Sequence, residues 1–417
     1  MTPEVLAGHG AAPLPPVALY VHVPFCVSLC PYCDFVVYAG SAARGPRNRV
    51  AAFLDAVLVE LDLRADAADA RFGAPGGPRS ALRTVYLGGG TPSLLPADAI
   101  ASLLERVRER FGVVDDAEIT LEANPGPDER GDPAALARAG VTRLSIGAQR
   151  LARRELRAIG RRHSPADVAE TVSAARAAGI GSVSLDLLYD IPGGALAAWQ
   201  ATLDLALALR PDHLSLYALT LDDPGAEGLT GPTGDHLPAS SGALRWRQRA
   251  RAGQDEDRAA DEYRLAVDRL AEAGYRGYEI SNWALPGHES RHNLAYWERR
   301  PCEALGPGAH AFDGRTRRWN AARLDAYLAA LVPPDGGPPQ LPPGGEETLG
   351  DDAAMAESTV LALRTDRGVP LGDAGGLRLA DVAAWTLSNG LAELVDERLV
   401  LTTRGRLLSN EVFARLV

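Results

Sequence analysis

Apolar and polar positions alternate along the first half of the chain in short runs that predict strands separated by helices. The first run, ALYVHVPF over residues 18–25, is almost entirely apolar and predicts a buried strand. Residues 47–70 then carry Leu54, Val57 and Leu61 at helical spacing, which predicts a helix with one apolar face. Five more strands, with helical patterns between them, are predicted over residues 84–93, 117–126, 141–149, 182–193 and 212–220.

This alternation predicts an α/β fold, because a strand–helix–strand unit joins parallel neighbours through a right-handed crossover. The six predicted units are too few for a closed eight-stranded barrel and predict a partial (β/α)6 barrel. The pattern alone leaves an open, doubly wound parallel sheet as the alternative.

Changes in composition divide the chain further. Residues 223–257 are rich in Gly, Pro, Ala, Ser and charge, and predict a flexible insertion. A Pro/Gly linker is predicted over 333–347. Residues 348–417 predict a small, mainly helical C-terminal domain, in which LVLTTRG is similar to the hairpin arm of a winged-helix module. The other predicted segments are an N-terminal extension (1–17), the barrel (18–222) and the completion of the barrel with a second motif region (258–332).

Charge and composition narrow the range of partners. The formal net charge is −11 at pH 7, so a broad phosphate-binding surface and a nucleic-acid partner are not expected. All 43 residues counted as lysine plus arginine are arginine. This excludes a Schiff-base lysine and the lysine of a phosphate-binding P-loop.

No targeting or membrane-spanning segment is expected. Pro13, Pro15 and Pro16 interrupt the apolar stretch at residues 11–23, so no signal peptide is predicted. No apolar run reaches the roughly 18 residues of a membrane span. Four cysteines in 417 residues are too few for a disulfide framework. These features predict a cytoplasmic protein whose clustered thiols serve metal binding or catalysis.

Three of the four cysteines lie directly after the first predicted strand. Cys26, Cys30 and Cys33 have the spacing C-x3-C-x2-C. A loop of this length can hold one cubic [4Fe–4S] cluster through three irons and leave the fourth iron without a protein ligand. S-adenosylmethionine (SAM) can bind that iron through its amino and carboxylate groups. Reduction of the cluster then cleaves the sulfonium to give a 5′-deoxyadenosyl radical.

Structural zinc is the alternative for these cysteines. It takes four ligands, usually as two C-x2-C pairs. Cys302 is remote in sequence and outside any such pair, and His22 on the preceding strand is the remaining candidate for a fourth ligand. The missing fourth cysteine favours the open iron–sulfur cluster.

The segment YVHVPFCVSLCPYCDF, residues 20–35, resembles the signature of the radical-SAM family, including the aromatic Tyr32 before the last cysteine. The resemblance is to the branch of the oxygen-independent coproporphyrinogen III oxidases (HemN) and the HemW-type heme chaperones. It runs in order along residues 18–417, apart from 223–257. It implies a radical-SAM partial barrel with a HemN-type C-terminal domain. It also implies a set of SAM-binding residues, namely Tyr20, Gly89, Gly90, Thr91, Glu122, Gln149, Arg161 (with Arg162 as a near alternative) and Asp186.

These residue types suit SAM chemically. The glycines of GGGTPS let a backbone approach a ligand and supply N–H donors. Carboxylate, amide and guanidinium groups at strand ends can bind the amine, ribose and carboxylate of SAM. Asp190 departs from the family pattern, which has glycine there, but an aspartate tolerates turn geometry and little effect is expected.

Two differences separate the chain from the oxidases of this branch. Phe35 stands where they carry a further cysteine, and the segment before Cys26 is too short for their long N-terminal arm. In addition, RHNLAYW at 291–297 resembles the heme-associated H-N-x-x-Y-W motif of the HemW-type proteins. The implied heme residues are His292, Asn293, Tyr296 and Trp297, with His310 and Cys302 as secondary candidates.

The motif has a physical rationale and a plain alternative. The imidazole of His292 can ligate heme iron, and the rings of Tyr296 and Trp297 offer flat apolar faces with polar ends. The alternative is a core histidine packed against aromatic neighbours.

The resemblance implies a heme chaperone that carries a SAM-ligated [4Fe–4S] cluster and transfers heme to an acceptor hemoprotein, expected to be membrane-associated. The alternative is an oxygen-independent oxidase that decarboxylates the propionate side chains of coproporphyrinogen III. Another radical-SAM reaction on a tetrapyrrole and a zinc-holding module without radical chemistry are the remaining hypotheses.

Overall fold

The computed structural model describes residues 13–40, 49–77, 79–371 and 376–416. Residues 1–12 of the predicted N-terminal extension lie outside this part of the chain, as do residues 47–48 of the predicted first helix. In chain order, the first half consists of β1 (Ala18–Val23), β2 (Phe25–Cys26), β3 (Tyr38–Ala39), α1 (Arg49–Phe72), β4 (Leu82–Gly89), a 3-10 turn (Pro92–Leu94), α2 (Ala97–Phe111), β5 (Val113–Ala123), α3 (Pro133–Ala139), β6 (Arg143–Gln149), α4 (Arg153–Ala158), α5 (Pro165–Ala177), β7 (Ser182–Tyr189), α6 (Leu196–Ala208) and β8 (His213–Ala218).

The second half adds shorter strands to the same sheet and then a separate small module. The elements that complete the sheet are α7 (Ser241–Arg251), α8 (Glu256–Glu272), β9 (Arg276–Gly277), β10 (Asn282–Ala284), α9 (Arg291–Trp297), β11 (Cys302–Leu305), β12 (His310–Phe312), β13 (Thr316–Asn320), α10 (Leu324–Leu331) and β14 (Gly344–Thr348). The C-terminal module consists of α11 (Asp351–Leu363), β15 (Val369–Pro370), α12 (Gly376–Ser388), β16 (Ala392–Val395), β17 (Arg398–Leu401), α13 (Thr403–Leu407) and α14 (Ser409–Phe413).

The six predicted strand–helix units are confirmed. Strands β1 and β4–β8 are neighbours in this order and all parallel. They belong to a twelve-stranded sheet with the order β14-β13-β12-β11-β1-β4-β5-β6-β7-β8-β10-β9. Side chains from β1, β4, β5, β6, β7 and β8 all line one cavity. This requires the sheet to curve around the cavity, so the fold is the partial barrel rather than the flat doubly wound sheet.

The alternation of side chains along each strand separates the outer core from the interior of the barrel. In β7, Val183, Leu185 and Leu187 are fully buried in the main apolar cluster, which also contains residues of the surrounding helices. The residues between them, Ser184 and Asp186, are polar and point to the other face. The apolar face therefore packs on helices, and the polar face is free to build a binding site.

Helix starts show the expected local chemistry. The hydroxyl of Ser164 accepts a hydrogen bond from the Asp167 N–H, and the Asp167 carboxylate accepts one from the Ser164 N–H. Pro165 occupies the first helical position, where a missing N–H costs nothing. This reciprocal capping fixes the start of α5 directly after the cavity residues 161–163.

The prediction that residues 223–257 form a flexible insertion is corrected in part. It contains helix α7, and α8 begins within its last two residues. Trp246 of α7 packs beside Tyr32 of the cysteine loop, with ring centroids 6.5 Å apart. The Gly- and Pro-rich residues 224–238 before α7 hid the helix, because its few apolar and anchoring residues contact distant parts of the chain.

The predicted C-terminal domain is present as a module with its own apolar cluster, which includes Leu363, Val369 and Leu399. Its three strands form an antiparallel sheet in the order β15-β17-β16, and the β16–β17 hairpin corresponds to the predicted winged-helix arm. The end of the predicted linker is strand β14, which pairs with β13 at the sheet edge.

Candidate functional site

The interior of the partial barrel is a cavity of about 670 Å³. Most of the predicted site residues line it, although they come from segments spread over 277 positions of the chain (20 to 296). The predicted residues in its wall are Tyr20, Cys26, Cys30, Cys33, Gly89, Gly90, Glu122, Gln149, Arg161, Asp186, His292, Asn293 and Tyr296. Thr91 lies just behind the wall, and Trp297 faces elsewhere.

The three cysteines lie on the loop that follows β1, at the carboxyl end of the parallel strands. The Cys26 thiol is 3.1 Å from the Thr91 hydroxyl, and the Cys33 N–H donates to the Cys30 carbonyl at 3.1 Å. The Arg161 guanidinium lies 3.7 Å from the Cys30 sulfur. Burial raises the pKa of Cys26 to about 11 and that of Cys33 to about 12, so these thiols stay protonated until a metal displaces the protons.

The glycine loop packs tightly against the cysteine segment. A Cβ on Gly89, whose φ is +106°, would lie 2.4 Å from the His22 ring, and a Cβ on Gly90 would lie 2.6 Å from the Phe25 carbonyl. The N–H groups of Gly89 and Gly90 donate to Glu122 and to the Val23 carbonyl, respectively. The expectation that these N–H groups serve a ligand is therefore corrected, because they bond within the protein and the glycines instead allow close backbone packing.

Two half-buried carboxylates, Glu122 and Asp186, stand on neighbouring parts of the inner wall. Glu122 accepts hydrogen bonds from the Tyr86 hydroxyl at 2.7 Å and the Gly89 N–H at 2.9 Å. Burial raises the pKa of Glu122 to about 7, although these hydrogen bonds oppose the shift. Asp186 accepts from the Ser145 hydroxyl at 3.0 Å, and burial raises the pKa of this carboxyl too. A cationic ligand would favour the ionised form of both groups.

Arg161 and Gln149 lie at the same end of the cavity as the cysteines. Arg161 donates to the Asn124 side-chain oxygen at 2.5 Å and to the Gly147 carbonyl at 2.6 Å, while Arg162 is exposed at the rim. Gln149 ends β6 with φ +62°, a conformation that is uncommon for residues other than glycine and that turns the chain at the cavity wall. Asp190 also has a positive φ, +53°, as the glycine of the family pattern would allow.

Helix α9, which carries the H-N-x-x-Y-W motif, lies against the first residues of the parallel strands. Glu118 of β5, which pairs with Thr84 near the start of β4, accepts hydrogen bonds from the N–H groups of Arg291 and His292, each at 3.0 Å. The Thr84 hydroxyl, early in β4, is 2.8 Å from His292 Nδ1. The helix therefore closes the amino end of the barrel, opposite the cysteine loop.

The His292 ring is buried and fully bonded. The Tyr296 hydroxyl is 3.0 Å from Nε2, and the Tyr86 ring centroid is 5.0 Å from the imidazole centroid. Burial, helped by the nearby charge of Arg143, lowers the pKa of His292 to about 3, so the ring is neutral at pH 7. Burial also raises the pKa of Tyr296, which keeps its hydroxyl a donor. With the Tyr296 hydroxyl as donor, Nε2 is the unprotonated acceptor and Nδ1–H donates to the Thr84 hydroxyl oxygen.

Besides Thr91, three predicted residues lie outside this cavity wall. The Arg364 guanidinium of the C-terminal module lies 4.7 Å from the centroid of the Trp297 ring, so Trp297 does not line the cavity and its heme role stays a prediction. His310 pairs with Asp235 at 2.9 Å. Cys302 is buried, donates to the Glu303 carbonyl, and has its pKa raised to about 12 by burial.

Sequence reasoning missed several polar residues of the site. Asn124 joins Arg161 to Thr91 and could have been found, because it follows Glu122 at the two-residue spacing of one strand face. Arg143 opens the strand that ends in Gln149 and also lines the cavity. Arg247 of α7 donates to the Pro31 and Cys33 carbonyls at 3.0 and 2.9 Å, and no local signal marks it.

Three thiols beside a cavity at the carboxyl end of a six-unit partial barrel are the arrangement expected of a radical-SAM protein. The model of the Radical SAM superfamily matches residues 20–206. The structure of the coproporphyrinogen III oxidase HemN from Escherichia coli, a radical SAM enzyme, is similar with a TM-score of 0.76 and 23% identity. That similarity covers 98% of this chain and 91% of the oxidase, and at this identity it establishes the fold alone.

Similarity to proteins of known sequence is more specific. The heme chaperone HemW of Mycobacterium tuberculosis is 38% identical over 410 residues, which cover 98% of this chain and 97% of that protein. The heme chaperone HemW of Escherichia coli is 36% identical over 314 residues, or 74% and 75% of the two chains. The chain belongs to the HemW family of radical-SAM proteins. Membership of the radical-SAM superfamily implies SAM and a [4Fe–4S] cluster as cofactors.

Proposed function

We propose that this protein is a heme chaperone that binds heme in the barrel cavity and transfers it to an acceptor hemoprotein. The observation that carries the proposal is that the cysteine loop and the first residues of the H-N-x-x-Y-W motif line the same cavity from its two ends. The heme chaperones of M. tuberculosis and E. coli support it as relatives over most of the chain.

In this proposal Cys26, Cys30 and Cys33 hold a [4Fe–4S] cluster. Three thiolates can hold a cubic cluster through three of its irons and leave the fourth iron open to SAM, whereas structural zinc takes four ligands.

The SAM site is proposed next to the cysteines. Glu122 and Asp186 offer half-buried carboxylates to a cationic ligand, and Arg161 offers a guanidinium to its carboxylate. Tyr20, Gln149, Gly89, Gly90 and Thr91 form or support the surrounding wall. When bound, the cluster and SAM together supply reductive cleavage of the sulfonium, and the residues named here bind and orient SAM and shield it from water.

The proposed heme site lies at the opposite end, where Tyr86, His292 and Tyr296 present a neutral imidazole between two aromatic rings. Asn293 adds an amide at the same wall. For His292 Nε2 to bind heme iron, the Tyr296 hydroxyl must leave it, since that hydrogen bond occupies the nitrogen.

Phe35 favours a chaperone over the coproporphyrinogen oxidase, which remains the competing function. The position that carries an extra cysteine in the oxidases is here an aromatic ring that is 63% exposed at the cavity wall. Such a ring offers apolar contact to a flat ligand but no thiol chemistry.

The test is a hemin titration of the anaerobically reconstituted protein. We expect a Soret shift in the wild type that is lost in His292→Ala and kept in His310→Ala, because His310 pairs with Asp235 outside the cavity. A parallel assay supplies coproporphyrinogen III, SAM and a reductant. Sustained formation of protoporphyrinogen, or a Soret shift that survives in His292→Ala, would contradict the proposal.

We propose that the acceptor is a membrane-associated hemoprotein and that the chaperone itself is cytoplasmic. In the part of the chain that the structure describes, no helix is both long and apolar enough to span a bilayer.

A further inference from the structure

Arg143, the first residue of β6, is a buried cation in the cavity wall to which the proposed function assigns no role. Its side chain is 3% exposed and contributes to the cavity lining. Its Nε has no hydrogen-bond partner among the residues described. A buried guanidinium left in this state is unfavourable, because desolvation of a charge is offset only by paired and hydrogen-bonded neighbours.

The nearest acidic residues are committed to other donors. Arg143 interacts electrostatically with Glu122 and Asp186. However, the Glu122 oxygens accept from Tyr86 and Gly89, and the Asp186 oxygens accept from Ser145. The two carboxylates thus balance the charge of Arg143 without supplying its hydrogen bonds, and the guanidinium is available to an anionic ligand group.

Arg143 lies far from the cysteine end of the cavity. The Arg161 guanidinium, beside Cys30, bonds to the Gly147 carbonyl, four residues further along β6. Four residues of strand correspond to about 13 Å. Arg143 instead lies at the amino end of β6, where its charge helps to lower the pKa of His292. A ligand beside His292 is therefore within its reach, and so is a ligand beside Glu122 and Asp186.

We infer that Arg143 binds a propionate of the tetrapyrrole, and that the tetrapyrrole enters the cavity with its propionate edge first. This inference rests on the proposed heme-binding function. A carboxylate supplies the planar pair of acceptors that a guanidinium takes in a bidentate contact. The apolar edge of the macrocycle then faces the other end of the cavity, where Leu29 and Phe35 are 44% and 63% exposed.

The carboxylate that binds Arg143 could also be the methionine carboxylate of SAM instead of a propionate of the tetrapyrrole. The experiment separates the two sources with full-length, anaerobically reconstituted protein. Hemin and hemin dimethyl ester are titrated by the Soret band, and SAM by calorimetry. The proteins are wild type, Arg143→Gln, Arg143→Lys and Arg83→Gln, in which an exposed arginine at the same end of the barrel is neutralised.

We expect wild type and Arg83→Gln to bind hemin more tightly than the diester by on the order of 10- to 100-fold, the range of a charge-assisted hydrogen bond. Arg143→Gln abolishes this preference, Arg143→Lys retains part of it, and all four proteins bind SAM alike. The comparison of the two ligands on wild-type protein tests the inference even if a variant fails to fold.

Equal affinity of wild type for hemin and its diester would overturn the inference and leave the heme-binding function standing. So would a preference for hemin that persists in Arg143→Gln. Loss of SAM affinity in Arg143→Gln with unchanged hemin affinity would assign Arg143 to SAM instead. If wild type binds neither porphyrin, the proposed function fails and the inference fails with it.

Discussion

Arg247 connects helix α7 to the cysteine loop, and its replacement tests whether this helix holds the loop in place. Its guanidinium donates to the Pro31 carbonyl at 3.0 Å, to the Cys33 carbonyl at 2.9 Å, and to the Asp222 carbonyl. It also ion-pairs with Asp34, with Nη2 and Oδ1 2.7 Å apart. One buried side chain therefore bonds to both sides of the loop segment between the second and third cysteines.

The size of the effect follows from these contacts. Hydrogen bonds from a charged donor contribute about 1.5–3 kcal/mol each. Two of them reach the loop, but the loop residues are half-buried and water can replace part of the loss. The Asp34 pair is partly exposed and adds little. We expect Arg247→Gln to weaken the closed loop by about 2–4 kcal/mol, and Arg247→Lys by less, because an ammonium keeps the charge but loses the fork of donors.

Hydrogen exchange on the protein without metal measures this directly. The Cys33 amide donates to the Cys30 carbonyl and reports on opening of the loop. A loss of 2–4 kcal/mol corresponds to exchange that is faster by roughly 30- to 1,000-fold. The matched control is Arg249→Gln, which removes an exposed arginine two positions away on the same helix. The second readout is the iron retained after reconstitution and exposure to a chelator.

Exchange at Cys33 that stays within about threefold of wild type in Arg247→Gln would refute the reasoning. Faster exchange in the Arg249→Gln control to the same degree would also refute it, because the effect would then belong to the whole helix rather than to the contacts of Arg247.

Three further predictions concern the cavity. Cys30→Ser is expected to lose the iron–sulfur absorption and bound iron after reconstitution, whereas Cys302→Ser, outside the cavity wall, keeps both. SAM affinity, measured by calorimetry, is expected to fall as the pH drops below about 7. The raised pKa of Glu122 leaves its carboxyl protonated there, and a cationic ligand prefers the carboxylate. Glu122→Gln is therefore expected to flatten this pH dependence. Tyr296→Phe is expected to tighten hemin binding by roughly 2- to 10-fold, since it frees Nε2 of His292 at the expense of one hydrogen bond.

Each of these expectations has a contrary result. Four irons per chain in Cys30→Ser would remove that cysteine from the cluster. A pH profile of SAM affinity that Glu122→Gln leaves unchanged would mean that another group titrates. Weaker hemin binding in Tyr296→Phe would show that the hydroxyl contacts the ligand rather than covering the imidazole.

Much of the fold follows from local sequence. Strand and helix periods are properties of short segments, so the six β/α units were predictable without knowledge of their partners. The spacing of Cys26, Cys30 and Cys33 likewise confines three thiols to one loop, whatever surrounds it. The C-terminal hairpin Ala392–Leu401 was predictable for the same reason.

Other features were decided by contacts between distant segments. Trp297 belongs to a recognisable motif, yet the C-terminal module covers its ring through Arg364. The glycine loop was expected to offer its N–H groups to a ligand, but Glu122, 33 residues away from Gly89, takes one of them. Helix α7 escaped prediction because it follows a Gly- and Pro-rich segment and its anchor, Arg247, bonds to carbonyls more than 200 residues earlier.

The sequence by itself determined the kind of elements, their order and the cysteine spacing, because backbone preferences and side-chain periodicity act over a few residues. Only the tertiary structure decided which polar groups are satisfied by one another and which remain open to a ligand. Arg143 illustrates the difference, since its availability depends on Glu122 and Asp186 being bonded to Tyr86 and Ser145. Hydrogen-bond pairing across a curved sheet is set by strand register and burial, and neither can be calculated from one segment alone.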